Sequence, residues 1–286
     1  MTLRTILAPA SGGTASDGAM EAACRLAERT GARLEALHVK TDPQQIIGMM
    51  AADSFGMPIS GEWLDRLIAD SDALAEKTKA AFERVAKRHS LALAASPREE
   101  ARAAWRVETG YAPIVVAERA RFFDLIVLGR SERVVEAPHS DTIEETLGRS
   151  GRPVLLAPAK AMEKLGETIA VGWNGSPECV HALATSLPLL EKAKAVMAIT
   201  VGDAADRDII PLLDYLAAHG VSAKHHKASP VKGVGPGEQL LAEAREKSAD
   251  LLVMGGYGHR PWRETLFGGA TREVVGTSLL PVLLAH

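Results

Sequence analysis

The segment Thr5-Ile-Leu-Ala-Pro-Ala-Ser-Gly-Gly13 recurs in the second half of the chain as Thr168-Ile-Ala-Val-Gly-Trp-Asn-Gly-Ser176. Two further pairs follow in the same order. Phe123-Asp124-Leu-Ile-Val-Leu-Gly129 matches Ala249-Asp250-Leu-Leu-Val-Met-Gly255, and Arg152-Pro153-Val-Leu-Leu-Ala157 matches Leu280-Pro281-Val-Leu-Leu-Ala285. Three matches in one order are the mark of a duplicated unit. The 286 residues are also enough for two domains at about 100–200 residues each. The expected division is residues 1–159 and 165–286, joined through the charged, helix-leaning stretch Ala159 to Glu167.

Within each half, short runs rich in β-branched residues and Leu alternate with longer helical patterns. This is the sequence sign of a parallel sheet with helices on both faces. The pattern predicts strands near residues 4–9, 33–39, 103–108, 124–129 and 153–157, then 168–173, 194–201, 222–228, 250–255 and 281–285. The expected fold is therefore α/β, with two tandem doubly wound domains, each a five-stranded parallel sheet flanked by helices. Helices are predicted between the strands, for example over Ala15 to Thr30 with Gly31 as its stop, and over Gly237 to Ser248. The first half carries a mostly helical insertion over about 41–95. Its apolar beginning, Ile46 to Met50 and Phe55 to Pro58, reads either as a lid or partner surface or as helices packed on their own domain.

A formal net charge of -3 offers no basic footprint for phosphate backbones, so nucleic acid is not an expected partner. No apolar run approaches the ~18 residues of a membrane span, and the chain opens on an apolar strand without a leader pattern. Only Cys24 and Cys179 are present, without metal-type spacing, which fits a reducing compartment and a cytoplasmic location. His225 and His226 are adjacent on a predicted strand and point to opposite faces, so no shared metal is expected.

Open parallel sheets bind ligands at the carboxyl ends of their strands, where the strand order reverses. In the second half that places the loop from Gly255 to Thr271 at the candidate site. Glycines 255, 258, 268 and 269 allow close backbone approach, and the N–H groups at 269–271 open a helix toward an anion. Neither a Walker loop nor a dinucleotide GxGxxG is present. Gly233-Val-Gly-Pro-Gly237 reads as a turn into a helix. His259, Arg260, Arg263 and Arg272 read either as neutralising a triphosphate or as a solvated basic surface.

These residues resemble the universal stress protein family, whose members join an ILVPxDGS-type opening strand to a G-x2-G-x9-G-[ST] loop and a final PVLLV-like strand. Gly255-x2-Gly258-x9-Gly268 has that spacing, and Pro281-Val-Leu-Leu supplies the last strand. The resemblance covers the chain twice. It implies Rossmann-like domains of the adenine nucleotide alpha hydrolase type, with ATP or another adenine nucleotide as ligand. The pocket it implies has Gly172, Trp173 and Asn174 beside the base and Val201 against it, with Met254, Gly255, Gly258, Gly268, Gly269, Ala270 and Thr271 around ribose and phosphates. Three positions depart from the family pattern. Gly269 stands where relatives have Ser or Thr, Asn174 replaces the acid at the end of the opening strand, and Trp173 has the bulk to fill the pocket. In the first half, Ser11 stands at the acid's position, and Ser140 and Asp141 lie opposite Gly268 and Gly269. The first domain is therefore not expected to bind ATP in the family manner.

The function expected from this reading is a stress-response module that binds adenine nucleotide in its second domain and regulates an unknown protein partner. Intramolecular pairing of the two domains through their final strands is implied, and association of two chains is left open. Two alternatives stand beside it: a nucleotide-independent dimerisation or interaction protein, and a slow ATP hydrolase. No constellation of catalytic acid, base and nucleophile is visible in the sequence, so no catalytic residue and no metal are assigned.

Overall fold

The computed structural model describes residues 2–44, 47, 61–94, 102–130, 138–202, 208–256 and 269–286. Its first half contains β1 (Thr5–Pro9), α1 (Gly13–Thr30), β2 (Arg33–Lys40), α2 (Gly61–Arg88), β3 (Ala103–Thr109), α3 (Ala112–Ala120), β4 (Leu125–Gly129), α4 (Pro138–Ser150) and β5 (Val154–Ala157). The second half follows with β6 (Thr168–Gly172), α5 (Pro177–Leu190), β7 (Ala195–Val201), α6 (Ile209–Ala218), β8 (Ala223–Ala228), α7 (Pro236–Glu246), β9 (Leu251–Gly255), α8 (Gly269–Thr277) and β10 (Val282–Ala285). The ten predicted strands are the ten observed, with their ends shifted by a residue at most places. Ile46, Met49, Met50 and Phe55 to Pro58 lie outside the described residues, so the insertion is seen chiefly as α2.

All ten strands form one sheet in the order β3-β2-β1-β4-β5-β10-β9-β6-β7-β8. Pairing is parallel within each half and antiparallel at the β5–β10 seam, where Leu155 faces Leu283 in register. Strand order within each half reverses at the same place, between β1 and β4 and between β6 and β9. Both faces of a parallel sheet are covered, so consecutive strand residues are apolar and divide alternately between two layers. Ile6, Ala8, Leu125, Val127 and Leu155 face a cluster shared with α1, α2, α5 and α6. Leu7, Ile126, Leu128, Val154 and Leu156 face the other, shared with α3, α4, α7 and α8. Both clusters run across the seam into the second half.

The repeated aspartate of the second sequence match has a structural cause. Asp124 Oδ2 accepts hydrogen bonds from the backbone N–H groups of Arg4 and Thr5 at 2.8 and 2.9 Å. Asp250 Oδ2 does the same for Glu167 and Thr168 at 3.0 and 3.2 Å. Each carboxylate thus satisfies donors at the start of the half's opening strand from the strand beside it. Asp250 Oδ1 is buried without a partner among the described residues, and burial pushes the carboxyl above its ordinary range, against the pull of these N–H groups. Folding therefore favours the protonated form. That contribution to stability is fully present below the unfolded pKa and is lost as pH rises through the raised folded value. Relative to Asp250→Asn, which does not ionise, the wild-type protein is expected to lose stability as pH rises above about 4. Urea unfolding at matched ionic strength measures this, and parallel pH curves for the two proteins would contradict it.

The join predicted as helix-leaning is not helical. Between β5 and β6 the chain runs as bends over α1, where Arg25 donates to the Glu163 carbonyl at 2.9 Å and Arg29 to the Leu165 carbonyl at 2.6 Å. Side chains of α1 take up carbonyls that a helix would have used internally, and Gly166 turns the chain at φ 76°. The far end of α2 is pinned to α1 through His89, whose two ring nitrogens each lie 2.7 Å from a carboxylate, of Glu28 and Glu21. Cys24, buried beneath that cluster, has its thiol pushed up to about 12 by burial, with Glu21 adding to the shift. Among the described residues no helix is long and apolar enough to cross a membrane, and no group of three or more His, Cys, Asp or Glu could hold a metal ion.

Candidate functional site

Parallel pairing brings Gly172 opposite Ile199 of β7 and Met254 of β9. The carboxyl ends of β6, β7 and β9 therefore share one edge of the sheet, which places Gly172, Trp173, Asn174, Val201, Met254 and Gly255 together. The start of α8 is fixed to the same edge by α7. Glu273 accepts hydrogen bonds from the N–H groups of Gly237 at 2.9 Å and Glu238 at 3.3 Å, capping α7 from its neighbour. Gly237 has no side chain because a Cβ there would run into the carbonyl of Ala270. The Gly233 to Gly237 segment is thus a turn into α7, with Pro236 in its first turn, and its Gly237 packs closely on Ala270 in the first turn of α8. Gly258 and Gly268, with His259, Arg260 and Arg263, lie outside the described residues.

The individual side chains do more structural work than the sequence reading assigned to them. A Cβ at Gly172 would meet Leu240 of α7. One at Gly255 would lie 2.6 Å from the backbone nitrogen of Cys179, so the close approach at Gly255 is made by the first turn of α5. Asn174 is exposed, and its Oδ1 accepts from the Ser176 N–H at 3.0 Å. Ser176 in turn caps α5 by accepting from the Cys179 N–H at 3.3 Å. The Asn174 side chain thus shapes the turn into α5 through its Oδ1 acceptor. Trp173 packs on the α5–α6 layer, and its buried indole N–H has no partner among the described residues. Met254 and Thr271 are buried, whereas Gly269 and Arg272 are exposed. His225 bonds Thr200 at 3.0 Å and His226 bonds Glu243 at 2.8 Å, on opposite sides of β8.

The equivalent edge of the first half holds a cavity of about 70 Å³. By the sequence repeat and the strand register, Gly172, Trp173, Asn174, Val201, Met254, Gly255, Ala270 and Thr271 correspond to Pro9, Ala10, Ser11, Val39, Leu128, Gly129, Thr142 and Ile143. All eight of these first-half residues line that cavity. Sequence reasoning treated the first half only as a degraded nucleotide site. The signal that locates the cavity was available in the same repeat, since these eight second-half positions have small or apolar first-half counterparts. The electrostatics differ between the halves. Helix α4 carries Asp141, Glu144 and Glu145 with Arg149 as its only guanidinium, whereas α8 carries one of each sign, Arg272 and Glu273. Tyr111 donates to Asp141 at 3.4 Å. Partial burial, with Asp141 and Glu145 close by, raises the Glu144 carboxyl above its ordinary range.

The model of the universal stress protein family matches residues 166–286. Among solved structures, the chain is similar to a universal stress protein from Archaeoglobus fulgidus, with a TM-score of 0.73 and 16% identity, covering 98% of this chain and 97% of that one. It is also similar to a functionally unknown protein from Pseudomonas aeruginosa, with a TM-score of 0.54 and 15% identity, covering 99% and 92%. At these identities the likeness is one of fold, and it extends over both halves. No curated protein sequence matches the chain.

Proposed function

We propose that this chain is a stress-response module of the universal stress protein type that binds an adenine nucleotide at the carboxyl edge of β6 and β9 and signals its occupancy to a protein partner. The observation that carries the reading is the alignment, inside the matched residues 166–286, of the carboxyl ends of β6, β7 and β9, with the start of α8 packed on the first turn of α7. Under this reading the strand ends hold the base and ribose. The first N–H groups of α8, with Gly258 and Gly268 ahead of them, hold the phosphates. The two halves are separate nucleotide-binding-type domains, 1–159 and 165–286, paired within the chain through β5 and β10, and the protein works in the cytoplasm. A ligand alters a partner's affinity only through unequal affinity for two states of the module, so the partner must distinguish occupied from empty protein.

A second reading, a nucleotide-independent interaction protein, draws on two features of the same edge. The Asn174 acceptor is already engaged by Ser176, and Trp173 occupies space beside the strand end. The two readings separate in one experiment. Protein purified from cells is denatured and the released small molecules are identified by mass spectrometry, alongside calorimetric titration with ATP. The nucleotide reading expects adenine nucleotide in the released fraction and a loss of ATP affinity of about tenfold or more in Gly268→Asp. Absence of released nucleotide and of heat on titration would transfer the conclusion to the interaction protein.

A further inference from the structure

The ten-stranded sheet ends at β3 on one side and at β8 on the other, so each of these strands turns one row of backbone groups away from its neighbour. In β3 the Arg102 carbonyl accepts from the Leu34 N–H at 2.9 Å, and the Gly110 N–H donates to the Lys40 carbonyl at 2.9 Å. Even-numbered residues therefore bond inward to β2, and odd-numbered ones point outward. Ala103 bonds outward to Ala92 and Ala94 at 2.9 and 2.8 Å. Among the described residues no hydrogen bond reaches the outward backbone groups of Trp105, Val107 and Thr109. Val107 is 42% exposed, although it lies on a strand of a parallel sheet.

This edge is complementary to itself. In antiparallel pairing centred on Val107, Val107 faces its own copy, Trp105 faces Thr109 of the second copy, and Arg106 faces Glu108 of the second copy. The outward residues then exchange about six N–H···O=C bonds, and the Arg106–Glu108 positions become non-hydrogen-bonded pairs, whose side chains stand closest. Arg106 and Glu108 already bond each other along one face of the strand at 2.6 Å, so two copies would close a ring of alternating charges. The register is bounded at both ends. Ala92 to Ala94 occupy the edge beside Ala103, and after Gly110 the chain leaves the edge for α3. A copy centred on Val107 thus ends where the Ala92–Ala94 segment begins. Helix α2, whose Phe82 stacks on Trp105 with ring centroids 6.0 Å apart, repeats the complementarity. Residues 61–76 hold five carboxylates and one guanidinium, and residues 77–88 hold five cations and one carboxylate. A two-fold axis through Val107 sets α2 antiparallel to its copy, with the acidic half of each beside the basic half of the other. The β8 edge lacks this property, because Ala223 to Ala228 carry Lys224 and Lys227 and no carboxylate, so self-pairing there would oppose like charges.

We infer that β3 is the docking edge for a second copy of this chain, joined by antiparallel pairing about Val107 into a two-fold dimer with a continuous sheet. The surface lies at the opposite end of the sheet from β6 and its neighbours β7 and β8. The inference stands whether or not the second half binds nucleotide.

Sedimentation equilibrium of the full chain between about 1 and 100 µM tests it, and a concentration-dependent dimer is expected in that range. Val107→Pro removes an outward N–H that the bonds to β2 do not use, so β3 keeps its place in the sheet, and the dissociation constant is expected to rise about tenfold or more. Glu108→Arg sets arginine opposite arginine and is expected to weaken the dimer by about the same factor, which provides the reading if Val107→Pro fails to fold. Adding Arg106→Glu to Glu108→Arg restores opposite charges and is expected to recover the wild-type dissociation constant to within about threefold. Val107→Cys brings two thiols together across the axis and is expected to give a disulfide-linked dimer on mild oxidation. Leu279→Cys, at a position 68% exposed, is the control and is expected to remain uncrosslinked. The inference is overturned by a monomer throughout the concentration range, by a dimer indifferent to both Val107→Pro and Glu108→Arg, or by cross-linking no faster at 107 than at 279.

Discussion

Gly129→Ala is expected to lower the free energy of unfolding by about 3 kcal/mol or more, although it adds a single methyl group. A Cβ at Gly129 would be driven into the carbonyl group of Ala15 and would lie 3.1 Å from the backbone nitrogen of Ser16. The obstruction is the first turn of α1, which is hydrogen-bonded backbone, so no flexible side chain can swing aside. Relief requires the whole helix to lift from β4, and Ala19, Ala23 and Leu26 would lift with it from the buried layer they share with that strand. Gly148→Ala in α4 is the matched control, because a Cβ there meets nothing within 4 Å. It is expected to stabilise the protein by up to about 1 kcal/mol through helix propensity alone. Urea unfolding of the two variants measures the pair. A Gly129→Ala variant as stable as the wild type would show that α1 is not seated on β4 as described.

Leu155→Asp is expected to cost about 5 kcal/mol or more, and its effect should reach both halves of the chain. Leu155 is fully buried on β5, and its partner across the antiparallel seam, Leu283 of β10, is 1% exposed. An aspartate there would be an unpaired charge inside the cluster that α1 and α5 both cover. Because the sheet and both apolar clusters continue through the seam, the wild-type chain is expected to unfold in one transition by calorimetry, and the variant to lose that transition as a unit. Two wild-type transitions, with only the earlier one displaced in Leu155→Asp, would mean that the halves are energetically independent despite the shared sheet.

The strands were legible because each is a short apolar run with punctuation at both ends, and burial on both faces leaves such runs little other use. The turn that precedes α7 and the opposed faces of His225 and His226 were legible for the same local reason. The helical leaning of residues 159–167 was misleading because propensity is a weak prior, and Arg25 and Arg29 claimed the carbonyls of that stretch from a helix distant in sequence. Gly255 was read as space for a ligand, but its bare α-carbon is required by the protein's own α5. Nothing in a linear glycine pattern distinguishes those two demands.

The sequence alone therefore determined the number of strands, their order along the chain and the matching segments in the two halves. All of these follow from periodicity and repetition, which are properties of neighbouring residues. Only the tertiary structure decided that the two halves share one ten-stranded sheet through β5 and β10, that Glu273 of α8 caps α7, and that the carboxyl ends of β1, β2 and β4 border a cavity. Each of those depends on atoms brought together from segments far apart in the chain, and their distances are set by packing against the whole rather than by any local preference.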